Sequence, residues 1–381
     1  MRRKTLILIL LSALLTTFGT AAKNPFKSIK NSIDHKLNEP FDTVRDAKYW
    51  KRAMLHGKLN LNDTTVHYPK FLGFCVKVYK WGDRTFNSYD TAYVVGSGKN
   101  WKFMLKNNDW IDTYMGHFGR NKMPVAMNSN ISTNVGAQIA FMALSTSYTI
   151  DIDNLVTGKA TKHQKLEFSF TCARVAFDAY FHKNTGNANI HRFGDYNDGK
   201  WIDKRFTGLS REAYGLYGYY FINNKRYAQA AAYCFSKFQK KSAGSLILGF
   251  HLSHQNVGMD FAKLDTAMQT FLPDTTRNYR FRYRDYSLLV GYGYNWVFRP
   301  NWLFNVTAMP SIGYRHSFPN SIEGKKDMLS ASIRLKLALV RNRKNFFYGA
   351  HFVMDGHWYI SHRYSFFNSV EDVTLTAGIR F

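Results

Sequence analysis

The sequence is short of cysteine, of acidic side chains and of long apolar runs, and each shortage excludes a class of protein. Three cysteines, odd in number and widely spaced, make neither a disulfide framework nor a zinc site. Only 26 Asp+Glu stand against 52 Lys+Arg, a formal net charge of +26. Proline numbers only 8 while aromatics reach 17%, so a disordered basic chain is excluded, because disordered chains are poor in aromatics. Mean hydropathy is −0.34, and past the N-terminus no segment offers about 18 continuous apolar residues. A multi-span helical membrane protein is therefore excluded as well.

What is present begins with residues 1–22. Arg2, Arg3 and Lys4 form a charged start, Leu6 to Leu15 an apolar core, and Thr20, Ala21 and Ala22 a small-residue cleavage site. The apolar run is about half the ~20 residues that a spanning helix needs, so a cleaved secretory signal is expected. Any membrane-embedded part of an exported chain of this composition has to be built from strands. Nucleic acid drops out as a partner, since it predicts the same charge but no export signal.

The C-terminal third carries the strongest pattern. Tyr286, Leu288, Val290, Tyr292, Tyr294, Trp296 and Phe298 alternate with Ser287, Leu289, Gly291, Gly293, Asn295 and Val297. Segments at 302–313, 329–339, 346–360 and 373–381 repeat the period of two. Each is long enough to cross a bilayer when tilted, which takes ~9–11 residues. A soluble sandwich alternates in the same way. The aromatic strand ends, which suit a belt between lipid and water, and the final Phe381 favour a barrel. Phe381 is expected to act as an assembly signal, read by the barrel assembly machinery.

Upstream, Trp101 to Leu105 reads as a first strand and Asn134 to Ile150 as a hairpin. Leu166 to Phe181 reads as one strand with a bulge near Cys172, and Glu212 to Ile222, Tyr227 to Gln239 and Ala243 to Asn256 as three more. The expected fold is all-β: a transmembrane antiparallel β-barrel of about twelve strands, with ten or fourteen as alternatives, over residues 100–381. In this reading the long 183–210 segment falls awkwardly on the periplasmic side. Residues 23–99 are expected to form a periplasmic or plug-like extension, partly helical over Asp34 to Leu59, with Phe71 to Trp81 a strand or a buried segment.

Several stretches together resemble a known family: Tyr89-Asp90-Thr91-Ala92-Tyr93-Val94, the hairpin at 134–150, Arg174 with Asp178, Ile222-Asn223-Asn224-Lys225-Arg226-Tyr227, and Gln239 to Ser245. In this order they resemble a domain-of-unknown-function family (4421) of outer-membrane barrels found in Bacteroidota, over roughly residues 89–381. The resemblance implies the outer membrane of a Gram-negative bacterium and a barrel fold. It implies no reaction.

Candidate chemistry is sparse. His251 and Ser253 share a strand face, as a nucleophile and its base would, but alternate with Leu246, Leu248, Phe250 and Leu252 and so point away from lipid. No orienting acid is identifiable, and no enzyme activity is expected. His351, Asp355 and His357 share a face expected to point into the lumen, yet residues four apart on a strand sit roughly 13 Å apart and cannot by themselves share one ion. No metal and no cofactor are expected. Arg174, Asp178, Glu167, Arg334, Lys336 and Arg380 are expected to face the lumen, where charges pair or line a water-filled path.

Lys162, Lys165, Lys204, Arg205, Arg211, Lys240, Lys241, Arg299, Arg341, Arg343 and Lys344 are expected at strand ends, against phosphates of outer-membrane lipid and lipopolysaccharide. Two functions remain, with a lipid-modifying hydrolase a distant third. One is a small pore whose basic lining favours a small anionic or polar solute. The other is a non-conducting surface barrel whose external loops, 257–283 above all, bind a partner or an envelope polymer.

Overall fold

A computed structural model describes residues 43–381, apart from 56–58, 61–62, 64, 87, 100, 119–122, 142–143, 152–163, 186–187, 273–277, 319–325 and 361–364. The secretory segment expected at 1–22 lies outside the described residues, as does Lys162. The chain divides into two units, Met1–Lys80 and Trp81–Phe381. In the first, a helix spans Tyr49–Leu55. The Asp63 carboxylate accepts hydrogen bonds from Thr65 and Arg45, which hold its pKa down at about 2. A second helix, Lys70–Phe86, covers the stretch expected as a strand or buried segment.

The second unit is one large antiparallel sheet of fifteen strands. They are β2 (Trp101–Phe118), β3 (Met123–Ser129), β4 (Ser132–Phe141), β5 (Leu144–Asp151), β6 (Gln164–Thr171), β7 (Val175–Thr185), β8 (Ala188–Phe193), β9 (Lys204–Phe206), β10 (Leu209–Phe221), β12 (Ala243–Asp260), β13 (Asn278–Arg299), β14 (Trp302–Ser317), β15 (Asp327–Asn342), β16 (Phe346–Ile360) and β17 (Ser365–Arg380). A separate two-stranded ladder joins β1 (Val94–Gly96) to β11 (Lys237–Gln239).

Three pairs of these strands are single staves interrupted by a few residues. Both β3 and β4 bond to β2, β8 follows β7 after two residues, and β10 follows β9 after two. Twelve staves result. The number matches expectation through two differences that cancel. The phase slip near Cys172 is a reversal of the chain, with Cys172 N–H bonded to Val175 C=O at 2.9 Å, so one expected strand is two. Tyr227 to Gln239 is not a stave at all.

The wall closes at the end bearing the long connections, where β3 bonds β8 and β8 bonds β9; ten staves form the closed ring, while among the described residues β5 bonds only β4 and β6 only β7. At the opposite end lie the short turns, and there Trp101 and Phe381 exchange both backbone hydrogen bonds at 3.1 Å, joining the first stave to the last. At one of these turns Asn301 takes φ 67°, a left-handed conformation that an asparagine side chain tolerates. With Tyr227–Gln239 removed from the wall, the long 183–210 stretch moves to the loop end and the alternation of loops and turns becomes regular.

Period-two alternation decides the two faces. Along β13 every second residue from Tyr279 to Asn295 is buried, while Tyr286, Leu288, Val290, Tyr292, Tyr294 and Trp296 are exposed outward. Leu288, Ile312 and Leu329 are 72%, 68% and 80% exposed. Each such side chain forgoes roughly 1.5–3 kcal/mol if left in water. A continuous apolar band of this kind is stable against lipid and unstable against water.

Candidate functional site: a filled lumen

The inward side chains form three layers. At the loop end lies an apolar cap in which Tyr114, Phe193, Phe206, Phe261, Tyr279, Phe281, Tyr359 and Phe366 are fully or almost fully buried. Aromatic contacts run through it, with Phe281 stacked on Phe366 at 5.3 Å and Phe261 edge-on to Tyr279 at 5.4 Å.

The middle layer is polar. Asp178 on β7 receives Arg334 and Lys336 of β15, each at 3.3 Å. These strands are not neighbours in the sheet, so the ion pairs cross the lumen. Arg334 also lies 3.5 Å from Asp355, its cross-strand partner on β16, and 4.1 Å above the ring of Tyr217. Tyr219 donates to Asp178 at 3.3 Å and Tyr217 to Asp355 at 3.1 Å.

Toward the loop end, Arg211 pairs with the fully buried Asp112 at 2.9 Å, and Arg315 with Asp285 at 2.9 Å through Nε. Ser287 and Ser330 also donate to Asp285. Lys165 pairs with Asp372 and, at 3.2 Å, with Glu167. Lys165 and Arg211 were expected at lipid headgroups. They point inward instead, because they occupy the lumenal parity of β6 and β10 and find carboxylates on strands remote in sequence.

His251 is fully buried with its ring 3.9 Å from Tyr217, stacked at 7°, and 5.5 Å from His357. Its Nε2 is 3.0 Å from the Tyr180 hydroxyl. Ser253 Oγ has no hydrogen-bond partner among the described residues, so no bond joins it to His251.

The third layer is the Tyr227–Gln239 segment, folded into the barrel mouth at the turn end. A run of Ala228, Ala230, Ala231 and Ala232 favours helix and disfavours strand, and Gln229–Tyr233 is one short helix. Five residues cannot hold a helix alone. The wall supplies what is missing, by donating to one backbone carbonyl after another. Asn295 reaches Ala228 C=O at 3.0 Å, His351 Nε2 reaches Ala232 C=O at 2.9 Å, and Lys102 reaches Cys234 C=O at 2.9 Å. Arg380 donates twice to Phe235 C=O, at 3.0 and 2.6 Å, and Asn342 to Lys237 C=O at 2.9 Å.

Phe235 carries φ 53°, costly for a bulky residue at about 1–3 kcal/mol. It is held there by these donors and by stacking on Phe347 at 4.5 Å. Gly349 leaves the space it fills, since a Cβ there would stand 3.1 Å from the Phe235 ring. Strand β1 then bonds to β11 across the outer side of the plug, and Lys240 N–H bonds to Tyr93 C=O at 2.7 Å. Residues 88–96, assigned from sequence to the N-terminal extension, thus pack as part of the barrel unit.

The residues singled out from sequence therefore separate. Asp178, Arg334, Lys336 and Asp355 meet in the middle layer, and His357 joins them through His251. His351 and Arg380 hold the plug. Arg174 lies half-buried in the turn between β6 and β7, apart from Asp178, and its carbonyl accepts from Phe221 N–H at 2.8 Å. Sequence reasoning missed Lys102, Asn295, Asn342 and Gly349; the alanine run at 228–232 was the one signal that pointed to a plug.

A closed antiparallel ring, apolar outside and packed inside, defines a transmembrane β-barrel of the outer-membrane type. The chain belongs to the family described as domain of unknown function (DUF4421), whose pattern matches residues 88–381. No curated protein matches it. Among solved structures it is similar to the outer membrane protease OmpT from Escherichia coli, at 9% identity and a TM-score of 0.35, over 74% of this chain and 97% of that one. It is also similar to the Pseudomonas putida toluene transporter TodX, at 8% identity and a TM-score of 0.24, over 74% and 90%. Likeness at this level carries neither activity to this chain.

Proposed function

We propose that this barrel does not conduct in the conformation described, and that it serves at the cell surface through its outer face and loops. In this reading it is exported by residues 1–22 and inserted by the barrel assembly machinery. The observation that carries it is the plug: the chain fills its own mouth at the turn end, and six side-chain bonds from the wall tie it to the lumen. The basic lining that favoured an anion path also loses its pull on solutes, because Arg334, Lys336, Arg211 and Arg315 each face a carboxylate within 3.3 Å. Pairs so close at low dielectric offer little net field to a passing anion.

The test is conductance of the refolded protein in a planar bilayer, with folding checked by heat-modifiable gel mobility. A silent bilayer is expected. Steady conductance with anion preference, lowered in an Arg334→Gln, Lys336→Gln double variant, would instead establish the pore.

A further inference from the structure

The outer wall at the loop end differs from the rest of the lipid-facing surface. On β13 the outward positions just beyond Tyr286 are Arg284, Arg282 and Arg280, all exposed. Residues two apart on a strand share a face at roughly 6.7 Å, so the three guanidinium groups form a ladder. Phe318 lies across it, 4.9 Å from the Arg282 guanidinium and 5.1 Å from that of Arg284, with His254 edge-on at 5.4 Å. Among the described residues no carboxylate pairs with Arg282 or Arg284. The nearby acids are engaged elsewhere, Glu212 with Lys183 at 3.9 Å, Asp327 with His316 at 2.7 Å and Asp285 with Arg315 at 2.9 Å.

Directly beneath the ladder is a depression of about 380 Å³ whose lining includes Tyr214, Leu216, Leu252, His254, Arg284 and Tyr286. Basic groups above an apolar hollow match an amphiphile whose head is anionic and whose body is hydrocarbon. The ladder sits where the apolar band ends, the level at which lipid headgroups lie. Planar guanidinium forks bind phosphate oxygens in pairs, and a rigid strand spaces them.

We propose that this face, formed by β10, β12, β13 and the start of the connection after β14, binds the phosphate-bearing head of an outer-leaflet glycolipid, with an acyl chain in the depression below. The proposal rests on the outer-membrane placement of the fold but not on whether the lumen conducts.

The test uses the full refolded protein in detergent, with purified lipopolysaccharide and its dephosphorylated form as probes. Tight binding of the first and about tenfold weaker binding of the second are expected, and Arg282→Gln with Arg284→Gln should weaken the first by about tenfold. A control pair at the opposite end, Lys225→Gln with Arg226→Gln, both exposed, should leave binding unchanged. Equal binding of both probes by the unaltered protein would overturn the proposal without recourse to any variant. An equal loss in the control pair would also overturn it, by making the interaction one of overall charge.

Discussion

Replacing Asp178 by Ala is expected to lower the unfolding free energy of the barrel by about 3–5 kcal/mol, read from the urea midpoint in micelles. The side chain is small, and the effect comes from what it leaves behind. Arg334 and Lys336 both face Asp178 at 3.3 Å from across the lumen, and both are buried. Asp355 offers Arg334 a second partner at 3.5 Å, but no ion pair joins Lys336 to another carboxylate among the described residues. Two cations would then stay in a poorly hydrated layer with one carboxylate between them.

A companion variant separates ion pairing from packing. Changing Asp178 to Leu and Asp355 to Asn together with Arg334→Met and Lys336→Met removes the charges as a set, and most of the lost stability should return. The single change also bears on function. A loss under 1 kcal/mol would mean that water already hydrates the middle layer, which favours the pore over the filled barrel.

The second large effect is expected at Phe235. Its ring is 1% exposed, stacks on Phe347 and occupies space that Gly349 leaves, while its carbonyl takes both Arg380 bonds. Phe235→Ala should cost about 3–5 kcal/mol locally, from lost burial and a cavity that the stiff barrel wall cannot collapse. Since the plug is held mainly by this anchor and by bonds to its carbonyls, the segment should loosen while the wall stays folded. Cys234, next to it and half-buried, reports the change. With Cys75 and Cys172 replaced by Ser, maleimide should label Cys234 at least tenfold faster in the variant. An unchanged rate would show that the mouth stays closed without Phe235, and would move the closing role to β1 and its ladder with β11.

The period of two along β13 to β17 determined which side chains face lipid and which face inward, and it did so from the chain alone. That is possible because neighbouring residues on a strand point to opposite sides whatever the strand packs against. The same local rule placed Asp178, Arg334, Lys336, His351 and Arg380 on the inner parity. It could not give their partners. Asp178 meets β15 across the barrel, Lys165 meets Asp372 more than two hundred residues away, and His351 meets a carbonyl of the plug.

The strand expected over Tyr227 to Gln239 contains the alanine run at 228–232. Helix propensity over so few residues is too weak to form a helix unaided, and only the donors on the surrounding wall make it one. An open and a filled barrel share the same alternation, since both put polar groups inside and apolar groups outside. Whether the lumen is empty was therefore decided by tertiary structure alone, through which distant strands face one another and what the chain between them folds back to fill.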